Sequence, residues 1–311
     1  ADIMLRGGRT REGQELWNDT TPLGEQMVIG MQHVIKTLKP TTAPFERVYK
    51  GAKGIPGKGP TIYEVPKELA GVFGFRLEKV NPEKVYLMGY SAGGDGVYQL
   101  APRMCDRFAA AAMMAGHPNE STPKGLRNLP FALQVGENDK SYRRNKIAAS
   151  WGNELAKLQE KDPKGYIHFI KIHEGKGHWM NLEDSIAVPW MAKYTRNRIP
   201  NHIVWQQDDV THKRSYWLSL PKDQIKARQL ITASRKNQRI DIHDIAEVSK
   251  IEIMLNDDMV DFNEPISVHH KDKIIFEGKI NRSVSEIHRT LKERGDPGLI
   301  FSARLNIEIK K

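Results

Sequence analysis

Between residues 84 and 195, short apolar runs alternate with helical ones, and this alternation constrains the fold more than any other feature of the chain. KVYLMG (84–89), FAAAAMMAG (108–116), LPFALQVG (129–136) and GYIHFIKIH (165–173) read as strands. SAGGDGVYQLAPRM (91–104) and YRRNKIAASWGNELAKLQE (142–160) read as helices, the second with Ile147, Trp151, Leu155 and Leu158 at three- and four-residue steps. NLEDSIAVPWMAKYT (181–195) reads as a closing helix. Strands joined by helical crossovers pair in parallel, with helices on the faces of the sheet. Met113 and Met114 fall in the small-residue strand and are expected in the core.

The pattern changes after RNRIPN (196–201). HIVWQQDDVTHKRSYWLSL (202–220), RIDIHDI (239–245), KIEIMLN (250–256), ISVHHKDKIIFEGKI (266–280) and IFSARLNIEI (300–309) are strand-like, with HHKDK as a hairpin turn. One helix is expected among them, SVSEIHRTLKERG (283–295), with a Ser283–Glu286 capping box, an apolar face of Val284, Ile287 and Leu291, and Gly295 to end it. The expected organisation is an α/β domain over 1–200 and a β-rich, sandwich-like, mostly antiparallel domain over 201–311. Upstream, 1–5 reads as the end of a strand, 24–40 as a helix and 51–60 as a loop.

A chain of 311 residues has room for two such domains, and 39% apolar with 28% charged residues is the composition of a soluble globular protein. The formal net charge of +10 would suit an acidic partner, but the basic residues are scattered rather than clustered with aromatics, so a solvated basic surface is expected and no nucleic-acid partner. With Cys105 alone there is neither an intrachain disulfide nor a cysteine metal site. No run approaches the length of a membrane span, and the opening residues lack the apolar core of a signal peptide, which leans toward the cytoplasm without fixing a compartment.

The chemistry centres on Gly89-Tyr90-Ser91-Ala92-Gly93, a G-x-S-x-G sequence directly after an apolar strand and directly before a helix. In that context it forms a sharp strand-to-helix turn that lifts a nucleophilic serine off the sheet, with the helix N-terminus beneath to favour developing negative charge. A serine nucleophile needs a base and a group to orient the base. Glu137 and Asp139 both follow the strand over 129–136; Asp139 lies deeper in the loop and is the expected orienter. His178, in the Gly-rich loop after the next strand, is the expected base, ahead of His173 at the strand end, where a buried structural histidine is expected.

VYLMGYSAGGDGVYQLAPRM, AAMMAGHPNE, LPFALQVGENDKSY and GKGHWM, in this order, resemble α/β-hydrolases of the esterase, poly(hydroxybutyrate)-depolymerase-like and predicted-peptidase group over about residues 75–195. The C-terminal region is similar to a β-rich extension carried by some members. The resemblance implies Ser91, Asp139 and His178 as a triad, with the Ala92 N–H as one oxyanion donor. Such enzymes place an H-G-G-type loop upstream; here Arg6-Gly7-Gly8 stands in its place as candidate second donor.

The expected function is hydrolysis of a small or polymeric carboxylic ester without metal or cofactor. A serine peptidase of the same fold and an inactive hydrolase-fold binding protein are the alternatives. Tyr90, His117 and Trp179 are candidate substrate contacts, and HKRSYW (212–217) is a candidate substrate or partner surface. Asp95 is expected to serve the helix N-terminus. His269 and His270 are expected as solvated turn residues, since strand neighbours point to opposite faces and make a poor metal pair.

Overall fold

The computed structural model describes residues 81–309 other than Ala246. The expected strand over 1–5, helix over 24–40, loop over 51–60 and the Arg6-Gly7-Gly8 turn lie outside those residues.

Four parallel strands form the first sheet: β1 (Tyr86–Tyr90), β2 (Ala110–Met114), β3 (Phe131–Gly136) and β4 (His168–His173), in that spatial order. Helix α1 (Ala92–Arg103) connects β1 to β2, and α2 (Arg144–Lys161) connects β3 to β4. Strand β2 is buried along its whole length, as suits a strand covered on both faces. On one face Val97, Tyr98, Leu100, Phe131, Trp151 and Leu155 pack together. On the other, Ala110, Ala112, Met114, Met180, Ala187 and Met191 form a smaller cluster. The stretch over 181–195 is not one helix: Asn181 and Leu182 take positive φ of 54° and 65°, and a 3-10 turn then leads into the short α3 (Ala187–Met191).

Two further sheets follow. One has the order β13-β10-β7-β6, from β6 (Arg214–Ser215), β7 (Leu218–Ser219), β10 (Lys250–Leu255) and β13 (Ala303–Glu308). The other has the order β12-β11-β9-β8-β5, from β5 (His202–Gln206), β8 (Leu230–Lys236), β9 (Arg239–Ile245), β11 (Ile266–His270) and β12 (Lys273–Gly278). All pairs are antiparallel except β9 with β11. The HHKDK hairpin turns on Lys271 and Asp272, whose φ of 48° and 63° suit the twist of a tight two-residue connection. His269 and His270 therefore end β11 instead of lying in the turn; His270 is buried and its Nδ1 lies 2.9 Å from the Ile242 carbonyl. The stretch over 202–220 divides into three strands, and β8, whose LITASRK carries too little apolar alternation to stand out, was not expected.

Helix α4 (Val284–Arg294) ends at Gly295 with φ 58°, as its sequence demands. Its start differs from the capping box. Ser283 is the N-cap but its side chain makes no capping bond to the helix backbone, its Oγ lying 2.7 Å from Ser285 Oγ, and the Glu286 carboxylate accepts from Arg289 and Arg304 instead. Its orientation is also inverted: Val284 is 82% exposed, and Ile287 and Leu291 are also on the surface, while Thr290 and Arg294 are buried. The polar face turns inward because it has specific partners there. The Phe301 N–H donates to Thr290 Oγ1 at 3.1 Å, and Arg294 reaches Asp106 at 2.5 Å and the Tyr216 carbonyl at 2.6 Å.

The β-rich sheets join the parallel sheet through a buried polar junction. Arg103 of α1 bonds Asp208 at 2.8 Å and Glu120 at 2.6 Å. Arg196 bonds Asp296 at 2.5 Å, Glu83 at 3.1 Å and the Asp106 carbonyl at 3.0 Å. Burial opposes the charge on Asp106, but the Arg294 and Arg107 guanidiniums outweigh it and hold the carboxyl at about 2. HKRSYW belongs to this junction and is not a free surface: Tyr216 and Trp217 are fully buried, with the Tyr216 hydroxyl donating to the Cys105 carbonyl at 3.1 Å. Burial, with Asp106 beside it, pushes the Cys105 thiol up to about 12, so it stays protonated and inert.

Candidate active site

Three loops at the C-terminal ends of β1, β3 and β4 meet above the parallel sheet. The first is a single residue long. Ser91 has φ 57° and ψ −121°, strained for a residue with a Cβ, and its N–H donates to the Met114 carbonyl at 2.9 Å. The turn survives because α1 can approach β2 closely. A Cβ on Gly94 would lie 2.5 Å from the Met114 carbonyl oxygen, and one on Gly116 would lie 2.3 Å from the Gly94 carbonyl carbon. Only glycines at both positions permit this contact, which accounts for part of the glycine content around Ser91.

Asp139 lies in the turn after β3, 2% exposed, its N–H donating to the Gly136 carbonyl at 3.0 Å. One carboxylate oxygen accepts from Arg144 at 3.3 Å. The other lies 2.7 Å from His178 Nδ1, and His178 Nε2 lies 2.9 Å from Ser91 Oγ. The structure thus brings Ser91, His178 and Asp139 into one hydrogen-bonded line, with the imidazole partly open to solvent and the carboxylate enclosed.

That line stands on a parallel sheet, with the serine at the strand-to-helix turn and the acid and histidine following in chain order. Around the parallel sheet the rival residues have other partners. His173 is buried, with Nε2 2.9 Å from Gln134 and Nδ1 3.3 Å from Glu183. Glu137 accepts the Gly175 N–H at 2.8 Å. Asp95 accepts the His117 N–H at 2.7 Å, tying the loop after β2 to α1, and His117 Nδ1 accepts the Asn119 N–H at 3.0 Å.

Tyr90 donates its hydroxyl to the His178 carbonyl, and its ring centroid lies 5.6 Å from those of His178 and Trp179. Burial, then Asp184 and Asp139, push its phenol up to about 12, so it remains a donor through the neutral range. Trp179 is 58% exposed and belongs to the surface beside His178, not to the core. Sequence reasoning missed the roles of Glu137, Gly136 and Arg144; the position of Gly136 immediately before the acid turn was the available signal. Among the described residues, no group of three or more His, Cys, Asp and Glu is arranged to hold a metal, and no helix is long and apolar enough to cross a membrane.

No family model matches the chain, and no curated protein matches it. Among solved structures it is similar to a variant of SOBER1 from Arabidopsis thaliana, with 19% identity and a TM-score of 0.30, over 41% of this chain and 61% of that one. It is similar to a thermostable esterase with 20% identity and a TM-score of 0.32, over 42% of this chain and 37% of the other. It is similar to esterase PE8 with 18% identity and a TM-score of 0.28, over 40% and 55%. The chain thus spans less than two thirds of each of these proteins.

Proposed function

We propose that the protein is a serine-dependent carboxylic ester hydrolase. The observation that carries this reading is the hydrogen-bonded line from Ser91 Oγ through His178 to Asp139, at 2.9 and 2.7 Å. Ser91 Oγ attacks the ester carbonyl as His178 Nε2 takes its proton, while Asp139 holds the Nδ1–H and steadies the imidazolium. The tetrahedral oxyanion accepts the Ala92 N–H, which opens α1 and so has no helical acceptor four residues back. His178 then protonates the departing alkoxide, leaving an acyl-Ser91 ester. In the second half, His178 deprotonates a water that attacks the acyl carbonyl. The acid is released and the proton returns to Ser91.

An ester is proposed over an amide because an alkoxide leaves more readily than an amine, so the same three groups suffice for it. Tyr90, Trp179 and His117 are proposed to border the bound substrate, and residues 201–311 to act as an accessory domain. The test is labelling with a fluorophosphonate probe together with hydrolysis of a simple aryl ester. Wild type is expected to label and turn over; Ser91→Ala should do neither, with loss of several orders of magnitude in rate. Retention of more than about a tenth of the activity in Ser91→Ala would refute the assignment, since removal of a triad nucleophile leaves far less.

A further inference from the structure

The loop carrying His178 contains Gly175, with φ 67°, and Gly177, and neither would have a side chain to fix it. It is nonetheless held along its length, and from the two elements that carry the other members of the line. At its start, Glu137 Oε2 accepts the Gly175 N–H at 2.8 Å, while the Glu137 N–H donates to the His173 carbonyl at 2.9 Å. In the middle, the Asn138 N–H donates to the Lys176 carbonyl at 2.7 Å. Beside it the loop presses on bare backbone, since a Cβ on Gly136 would lie 2.0 Å from the Gly177 carbonyl oxygen. At its end, Tyr90 donates to the His178 carbonyl. Glu137 is itself anchored to α2, its carbonyl accepting from Asn145 Nδ2 at 2.7 Å.

Among these contacts Glu137 is the one made by a charged side chain. Its carboxylate is too committed to serve as the orienting acid, and it touches neither Ser91 nor the imidazole. It lies two residues before Asp139 and grips the loop three residues before His178. A carboxylate accepting a main-chain N–H is a charge-assisted bond, and it ties the acid turn to the base loop as one unit. Resting on the serine-hydrolase reading above, we propose that Glu137 is a positioning residue. Through Gly175 it keeps His178 within reach of Asp139 and Ser91 at once.

The full-length protein would be assayed as wild type, Ser91→Ala, Glu137→Ala and Glu137→Gln, with aryl-ester kcat expressed per site labelled by fluorophosphonate. In Glu137→Ala, kcat should fall about tenfold or more, because small misplacements of a catalytic group are costly, while KM stays within about twofold. Glu137→Gln keeps an amide oxygen to accept the Gly175 N–H and should restore kcat to within about threefold of wild type, losing only the charge assistance. Glu137 is exposed, so the melting temperatures should be close and the loss should not track stability. Wild-type kcat in Glu137→Ala, a loss confined to KM, or a loss that Glu137→Gln does not restore would each overturn the positioning role and leave the serine-hydrolase reading intact. Labelling that persists in Ser91→Ala would overturn that reading and the role of Glu137 with it.

Discussion

Ser91 sits at φ 57° and ψ −121°, a conformation that costs a residue with a Cβ on the order of 1–3 kcal/mol. Glycine tolerates it, so Ser91→Gly should raise the melting temperature while abolishing probe labelling; a fall in thermal stability would show that the turn is not strained. The acid can be ranked in the same way. Asp139 is enclosed and faces His178 at 2.7 Å, whereas Glu137 faces a main-chain N–H. Asp139→Asn should therefore cost more in kcat than Glu137→Gln, and the reverse ranking would move the orienter to Glu137. The positions of all three were legible in the sequence as polar residues in the short loops after strands, Ser91 directly after β1, Asp139 three residues past β3 and His178 five past β4. The grip of Glu137 was not, since a carboxylate two residues from the acid looks the same whether it faces an imidazole or an amide.

At the scale of elements, α1 and α4 obey different rules. Helix α1 is placed by backbone contact, Gly94 against Met114 and Gly116. The cost of adding one methyl there is that of overpacking, about 1–3 kcal/mol, so Gly94→Ala should lower the urea midpoint and distort the serine turn, reducing labelling as well. Helix α4 reads as amphipathic with its apolar stripe inward, yet Thr290 and Arg294 are the buried residues. The expected mutational pattern is the opposite of the helical-wheel one. Val284→Ser should change stability by less than about 0.5 kcal/mol, while Thr290→Val strands the Phe301 N–H and should cost about 1–3 kcal/mol. Chemical denaturation of the two variants checks the ranking. Periodicity locates a helix and its ends, but it cannot say which face has partners when those partners lie 11 or more than 180 residues away.

At the scale of the whole molecule, most of the buried charged side chains among the described residues lie at the junction between the parallel sheet and the β-rich sheets. Asp106 is held at about 2 against a usual 3.8, and Asp296 is lowered as well, where Arg196 outweighs the effect of burial. A carboxyl depressed in the folded state contributes stability that is complete above its unfolded value and is lost as pH falls through its folded one. Stability should therefore decline from about pH 4 toward pH 2, and Asp106→Asn, though weaker at neutral pH, should show a shallower decline. Urea midpoints measured across that range decide it; an unchanged slope in Asp106→Asn would place the acid sensitivity elsewhere. Deleting 201–311 removes Asp208, Arg294 and Asp296, leaving Arg103, Asp106 and Arg196 without those buried partners. The truncated chain is expected to lose cooperative unfolding.

The sequence by itself determined the βα alternation, the serine turn and the order of serine, acid and histidine. Each of these is a local pattern written within a few residues: an apolar run, a glycine, a polar side chain just past a strand end. Only the tertiary structure decided which acid faces the imidazole, which face of α4 is buried, and that HKRSYW is interior. Those outcomes depend on pairings between residues far apart in the chain, such as Arg294 with Asp106 or Tyr216 with Cys105. A buried charge or hydroxyl takes whatever orientation satisfies it, even at the expense of leaving an apolar stripe in water, because an unpaired polar group inside costs more than an exposed valine outside.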